Sequence, residues 1–256
     1  MVTSNNLPAA LPVAIVSGGA SGIGEGISRL LVKRGYRVVI ADIQQEAGGE
    51  LAAQLGEHAH FHRLNVSSEE DWKDAISWVE RELGGLSLLV NNAGTGMTAD
   101  IENATLEDWT RINDINAKGV FLGCKYAVAA MKSQGGNIVN IASALGKKAM
   151  ASTCAYSATK AAVVSLTEST ALHCAEQNYQ IRCNAVLPGF IDTPLLRNNL
   201  QLSDTPEEML QGFVALHPVG RLGRIDEVAQ AVLFIASDKC QFMTGASISV
   251  DGAMTL

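Results

Sequence analysis

Seven short apolar runs, nearly all separated by longer stretches of helical periodicity, restrict the fold of this 256-residue chain more than any other feature. The runs are VAIV (13–16), RVVIA (37–41), HFHRLNV (60–66), LSLLV (86–90), NIVNIAS (137–143), IRCNAVLPG (181–189) and SISV (247–250). Most are apolar at consecutive positions rather than at every second one. Such strands are buried on both faces, as in a parallel sheet covered by helices. The intervening periodicity predicts helices ending near Gly35 and Leu55, one starting at Ser68–Asp71, and others over Thr105 to about Met131, Thr153–Glu176 and Asp226–Ala236. An α/β chain with a doubly wound parallel sheet of seven strands flanked by helices follows, as a single domain over residues 1–256. Only about 191–218 breaks the alternation, and this insertion is expected to act as a substrate-binding flap.

With 47% hydrophobic residues, a chain of this length can bury a core large enough for one α/β domain. Its net charge of −7, without any cluster of Lys and Arg, argues against nucleic acid or an anionic membrane as partner. No apolar segment approaches a membrane span, and the start MVTSNNLPAALP lacks the basic residues and apolar run of a signal peptide. The five cysteines are odd in number and show none of the close pairs that metal sites or disulfide frameworks use. A cytoplasmic protein is expected, with Cys174 and Cys183 serving as small buried hydrophobes.

Directly after the first apolar run stands SGGASGIG, leading into the helical stretch ISRLLVKRG. Glycines in a strand–turn–helix setting let backbone N–H groups and a helix N-terminus approach a pyrophosphate. Gly18, Ser21, Gly22, Ile23 and Gly24 are therefore candidate dinucleotide contacts, and the sheet is of Rossmann type. Asp42, with Ile43 beside it, ends the second run, where a carboxylate accepts hydrogen bonds from an adenosine ribose and repels a 2′-phosphate. No Arg or Lys follows immediately to offset that repulsion, so NAD is favoured over NADP.

Tyr156 and Lys160 lie four residues apart on one predicted helix face, which brings a phenol and an ammonium into one site. A neighbouring positive charge favours the phenolate, making Tyr156 a candidate proton donor or acceptor. His58, His60 and His62 alternate like a row of metal ligands, but no carboxylate or cysteine accompanies them, and no metal site is assigned. Met97, Met150 and Cys154 stand close in sequence to the catalytic candidates, as pocket lining or as core filler.

With SGGASGIG, NNAG (91–94), Asn116, Ser143, YSATK (156–160) and PGFIDT (188–193) in this order, the chain resembles the short-chain dehydrogenase/reductase family over essentially its full length. The resemblance implies a tyrosine, here Tyr156, that exchanges a proton with the substrate oxygen. It implies that Lys160 lowers the phenol's pKa and holds the nicotinamide ribose, that Ser143 hydrogen-bonds the substrate oxygen, and that Asn116 braces a helical kink and holds a water. Asn92, Ala93 and Gly94 match the segment that passes the adenine ribose. Asn65 and Val66 match the adenine contact, with Asn65 in place of the usual aspartate. Pro188, Gly189, Ile191 and Thr193 match the loop holding the nicotinamide carboxamide.

Ser17 stands where the family usually has threonine, and Ala253 where it has a second glycine. A homotetramer is implied, with helices 105–131 and 153–176 as the dimer surface. The apolar insertion, with Phe190, Leu195, Leu196, Leu200, Leu202, Met209, Leu210 and Phe213, suits an apolar, cyclic secondary alcohol or ketone, and the sequence is similar to bacterial hydroxysteroid dehydrogenases. The alternatives are a 3-oxoacyl-thioester reductase and a non-catalytic NAD-binding regulator.

Overall fold

A computed structural model describes residues 11–201 and 203–256; residues 1–10 of the expected domain, and Leu202 of its insertion, lie outside the described residues. Strands β1 (Val13–Ser17), β2 (Arg37–Asp42), β3 (Ala59–Arg63), β4 (Leu88–Asn91), β5 (Gly136–Ile141), β6 (Ile181–Pro188) and β7 (Ser247–Val250) form one sheet. Their order is β3-β2-β1-β4-β5-β6-β7, and every neighbouring pair is parallel. All of β1 and β4 is buried, as the uninterrupted apolar runs require.

Side chains alternate between two cores. Ile15, Val39, Leu89 and Ile138 face α3 (Glu69–Leu83), α5 (Gly119–Met131) and α6 (Cys154–Glu176). Val16, Val38, Ile40 and Val90 face α1 (Gly22–Lys33), α2 (Gln45–Leu55) and α9 (Ile225–Ala236). The helix start predicted at Ser68 and Asp71 is an N-cap in which the Asp71 N–H donates to Ser68 Oγ at 3.2 Å. Among the described residues no helix is long and apolar enough to cross a membrane.

Several predicted boundaries shift: β4 starts at Leu88, and β5 ends at Ile141, two residues short of Ser143. β3 ends at Arg63, and Leu64, Asn65 and Val66 run on past it to line a crevice. The single helix expected over 105–131 is two, α4 (Leu106–Asn113) and α5, joined by a π-helical turn over Asp114–Lys118. The widened turn carries Asn116, whose amide bonds to the backbone of Thr95 outside the helix. Wide turns of this kind are stable only where such outside contacts offset the lost helical geometry. The insertion holds two short helices, α7 (Pro194–Gln201) and α8 (Pro206–Ala215).

After β7, Ala253 sits at φ = 71°, a left-handed conformation that a β-carbon disfavours. Asp251 holds it there, accepting from Ala253 N at 3.1 Å, Thr255 N at 3.2 Å and Thr255 Oγ1 at 2.6 Å. Ala253→Gly is expected to stabilise the chain by about 0.5–1 kcal/mol, because relief of the left-handed strain exceeds the added freedom of the unfolded chain. Urea unfolding measures it, and a destabilised Ala253→Gly variant would contradict the strain.

Candidate active site

The strand order reverses between β1 and β4, and a crevice of about 580 Å³ opens over the C-terminal strand ends there. One hydroxyl joins its two sides. Ser17 Oγ donates to Val90 O at 3.4 Å and accepts from Asn92 N at 3.0 Å and Ala93 N at 3.1 Å. The serine therefore does all that a threonine hydroxyl would. Asn92 Nδ2 returns two bonds, to the carbonyls of Ser17 and Gly18 at 3.0 and 3.1 Å.

Gly18 at φ = 62° turns the chain out of β1 so closely that a β-carbon would stand 2.8 Å from Ala93 Cα. Gly18, Ser21, Gly22 and Ile23 line the crevice; Gly24 lies behind them, packed on the Gly18 carbonyl, and brings α1 close to the strand. Across the opening, Thr193 approaches Gly22, and Pro188, Gly189 and Ile191 line the same wall. A crevice with a glycine turn, the N-terminus of α1 and a carboxylate along one edge fits a dinucleotide.

That carboxylate is Asp42, 5% exposed, with Oδ2 accepting from Ala20 N at 3.1 Å and Oδ1 from Gln44 N at 3.0 Å. Two backbone amides fix its orientation toward the crevice, beside the exposed Ile43. Asn65 and Val66 also line the crevice, but Asn65 Oδ1 already accepts from Ser67 N at 3.1 Å and Ser67 Oγ at 2.8 Å. Its capacity toward an adenine amino group is correspondingly reduced.

Ser143 follows the end of β5, and Tyr156 and Lys160 stand one turn apart on α6; all three line the crevice. Lys160 is 5% exposed and donates from Nζ to Ile141 O at 2.9 Å, with Nζ 5.8 Å from the Tyr156 ring centroid. Burial lowers its pKa to about 8. The depressed phenol expected from the Tyr–Lys spacing is not found in the chain alone. Burial pushes Tyr156 up, and only the hydrogen bond with the Ser143 hydroxyl opposes it. The ammonium is engaged with a carbonyl beside the ring rather than with the phenolic oxygen.

Asn116 does not line the crevice. Fully buried, it accepts from Thr95 N at 2.8 Å and donates to Thr95 O at 2.9 Å and Thr159 Oγ1 at 3.3 Å. The pairing clamps the chain as it leaves Gly94. A β-carbon on Gly94 would lie 3.3 Å from Asn116 Oδ1 and 3.5 Å from Lys160 Nζ, so this glycine is where the asparagine and lysine converge.

Thr95 and the Ile141 carbonyl escaped the sequence reading, although Thr95 immediately follows NNAG. Of the three residues left between pocket and core, Met97 lines the crevice, Met150 packs against the cluster of Ala144, Leu145 and Met254, and Cys154 donates to Ala99 O outside it. His60 and His62 pack on Trp78, with ring centroids 5.8 and 5.3 Å away, and His62 Nε2 lies 3.1 Å from Asp74 Oδ2.

A Rossmann-type sheet, a dinucleotide crevice at its switch point, and a serine, tyrosine and lysine in that crevice define a nicotinamide-dependent oxidoreductase. Comparison with known proteins narrows the class. A family model described as enoyl-(acyl carrier protein) reductase matches residues 18–255. The chain is 42% identical over 242 residues to a 3-beta-hydroxysteroid dehydrogenase of Comamonas testosteroni, covering 94% of this chain and 95% of the relative. It is 38% identical over 248 residues to a cyclohexanol dehydrogenase of Acinetobacter sp. (strain SE19), covering 95% and 94%. A trans-4-hydroxycyclohexanecarboxylate dehydrogenase of Sinomonas cyclohexanicum is 36% identical over 252 residues, covering 95% and 92%. The chain belongs to the short-chain dehydrogenase/reductase family, and its class of activity is that of an NAD(P)-dependent alcohol dehydrogenase or ketone reductase.

A lysine whose pKa is lowered by burial costs stability wherever it stays protonated, below a pH of about 8. Lys160→Met is therefore expected to raise stability at pH 7 by about 1–2 kcal/mol, the relief of burial less the lost bond to Ile141 O. Wild-type stability should itself rise with pH above about 8, where only the folded chain has lost the proton. Urea unfolding without added cofactor measures both, and a less stable Lys160→Met variant would contradict the burial cost.

Proposed function

We propose that the protein is a cytoplasmic, NAD-dependent dehydrogenase of neutral, ring-bearing secondary alcohols of hydroxysteroid type, and a reductase of the matching ketones. One observation carries the reading: Ser143, Tyr156 and Lys160 share a crevice with an apolar chamber formed by Leu195, Leu196, Met209, Phe213 and Met254. Among the described residues the only charged side chains lining it are Asp42 and Lys160. None of the residues that line the apolar chamber carries a charge to balance a substrate carboxylate or phosphate, so a neutral ring is favoured over an anionic one. Relatives named for a hydroxysteroid and for cyclohexanol support the cyclic carbinol.

Bound NAD supplies a hydride acceptor, and NADH a hydride donor, at the nicotinamide ring. The protein's own groups do the rest. Ser143 Oγ donates to the substrate oxygen, and the Tyr156 hydroxyl takes its proton during oxidation and returns one during reduction. Lys160 holds the ribose, and its ammonium stabilises the phenolate when substrate and cofactor exclude water. Asn116 holds the Gly94–Thr95 segment and a water route from Lys160 to solvent. Gly18, Ser21, Gly22 and Ile23 cradle the pyrophosphate, with Gly24 allowing the close approach of α1. Asp42 and Ile43 take the adenosine ribose, while Asn65, Val66, Asn92, Ala93 and Gly94 take the adenine side. Pro188, Gly189, Ile191 and Thr193 take the carboxamide, and residues 191–218 form the flap over the substrate.

Asp42 supports NAD over NADP, because its buried, amide-fixed carboxylate repels a 2′-phosphate. The five cysteines are free, which suits a reducing cytoplasm. Leu106, Trp109, Phe121 and Leu172 stand exposed on α4, α5 and α6 and support these helices as the contact surface of a homotetramer. A 3-oxoacyl-thioester reductase is less well supported, since an acidic carrier protein needs a basic surface and the chain carries −7. A non-catalytic NAD-binding regulator has no use for the full set of Asn116, Ser143, Tyr156 and Lys160.

NADH formation from a panel running from cyclohexanol to hydroxysteroids tests the reading. The kcat/KM with NAD⁺ is expected to exceed that with NADP⁺ by about 100-fold, and Asp42→Ala to reduce that preference to about tenfold or less. Tyr156→Phe should keep NADH affinity while lowering kcat by roughly 10²–10⁴-fold. Turnover with NADP⁺ alone, or an unimpaired Tyr156→Phe variant, would contradict it.

A further inference from the structure

We infer that His217 is a positioning residue that sets substrate size, by clamping Phe190 onto Phe213 to form a stacked aromatic wall for a multi-ring alcohol. The inference rests on the dehydrogenase reading above and assigns a residue that does not itself line the crevice. Phe190 and Phe213 do line it, from two separate elements: Phe190 follows β6, and Phe213 lies on α8. Their rings stack with centroids 4.2 Å apart and planes 16° from parallel. Nothing in the local chain ties these elements together, because most of the insertion separates them.

His217 supplies the tie. It lies two residues beyond α8 and is 3% exposed, with Nδ1 2.8 Å from Phe213 O and Nε2 accepting from Phe190 N at 3.0 Å. A backbone carbonyl can only accept and a backbone amide can only donate, so Nδ1 carries the proton and Nε2 is bare. The ring is thus a neutral, single tautomer that holds the backbone of both phenylalanines at once. Its own position is fixed. A β-carbon on Gly189 would stand 2.5 Å from Nε2, and one on Gly252 would stand 3.5 Å from His217 Cβ. The Phe190 carbonyl is held separately, accepting from Gly223 N at 3.0 Å. Among the described residues, the bond from Phe190 N to His217 is the hydrogen bond that joins residues 206–217 to the 188–193 loop, Gly223 bonding that loop from further along the chain.

A stacked pair is one rigid block whose free ring face and edges extend the apolar wall of the chamber; a fused alicyclic substrate can reach along it, whereas a single small ring touches little of it. Loss of the clamp should therefore weaken large substrates more than small ones, through KM rather than kcat. The test uses the full chain with His217→Leu, which removes the acceptor, and His217→Gln, which retains an acceptor oxygen. Hydrogen exchange of the peptide containing Phe190 reads the clamp without any turnover. Exchange at this amide is expected to be about tenfold faster or more in His217→Leu, the worth of one buried hydrogen bond, and to slow again in His217→Gln.

In parallel, the kcat/KM for a hydroxysteroid relative to cyclohexanol should fall about tenfold in His217→Leu, mostly in KM, and recover in His217→Gln. Phe213→Leu, which leaves the histidine untouched, should lower the same ratio while keeping the Phe190 amide protected. It keeps the proposal testable if His217→Leu does not fold. Unchanged exchange in His217→Leu would overturn the clamp, and an unchanged ratio in Phe213→Leu would overturn the wall. A wild-type chain inactive on every cyclic alcohol would overturn the dehydrogenase reading and the substrate role with it, while amide exchange would still decide the clamp.

Discussion

With all seven strands running the same way, the turns that leave their C-terminal ends collect along one edge of the sheet, and the site depends on that constraint. The reversal of strand order between β1 and β4 keeps the turns from closing over one another there. Ser17 holds the gap at a fixed width, with a single hydroxyl bonded to Val90, Asn92 and Ala93. From this one point the glycine turn, the Asn92–Thr95 segment and the end of β5 all take their positions. The catalytic candidates then need no loop of their own to meet. Ser143 follows a strand, while Tyr156 and Lys160 ride a helix packed on the sheet, and rigid supports of this kind keep reacting groups in register.

Holding polar groups under such a crevice costs stability. Lys160 is buried with one carbonyl as partner. Beneath the sheet centre, Asn91 Nδ2 donates to Asn140 Oδ1 at 2.8 Å, and Asn140 Nδ2 to Thr167 Oγ1 at 2.9 Å, with the Cys124 and Cys183 thiols around them. Asn91 Oδ1 has no partner among the described residues, an expense that an apolar core would avoid. These buried polar groups trade stability for a fixed arrangement beneath the crevice, as functional sites commonly do.

Much of this was legible in the sequence, for identifiable reasons. Consecutive apolar residues in VAIV and LSLLV could only be strands covered on both faces, and four-residue spacing put Tyr156 and Lys160 together. Contacts distant in sequence were not legible. The family resemblance implies a kink at Asn116, but the π-helical turn at Asp114–Lys118 depends on Asn116 reaching Thr95, twenty-one residues away, a partner that neither the helical period nor the motif names. The direction of the Tyr156 shift follows from burial, which no spacing encodes. His217 sits in HPVGR as an ordinary residue, and only the folded insertion brings it to Phe190. At Ala253 the departure from glycine was visible, but its left-handed backbone appears only once Asp251 closes the turn.

The central claim is that this crevice moves a hydride between a carbinol carbon and a nicotinamide, and transfer of an isotopic label tests it most directly. Cyclohexanol carrying deuterium at its carbinol carbon would be oxidised with NAD⁺ and the recovered NADH examined by mass spectrometry and proton NMR. The result expected is one deuterium per NADH, at C4 of the nicotinamide and on a single face. NADH without the label would contradict direct transfer, and a label divided between both faces would contradict a ring held in one orientation.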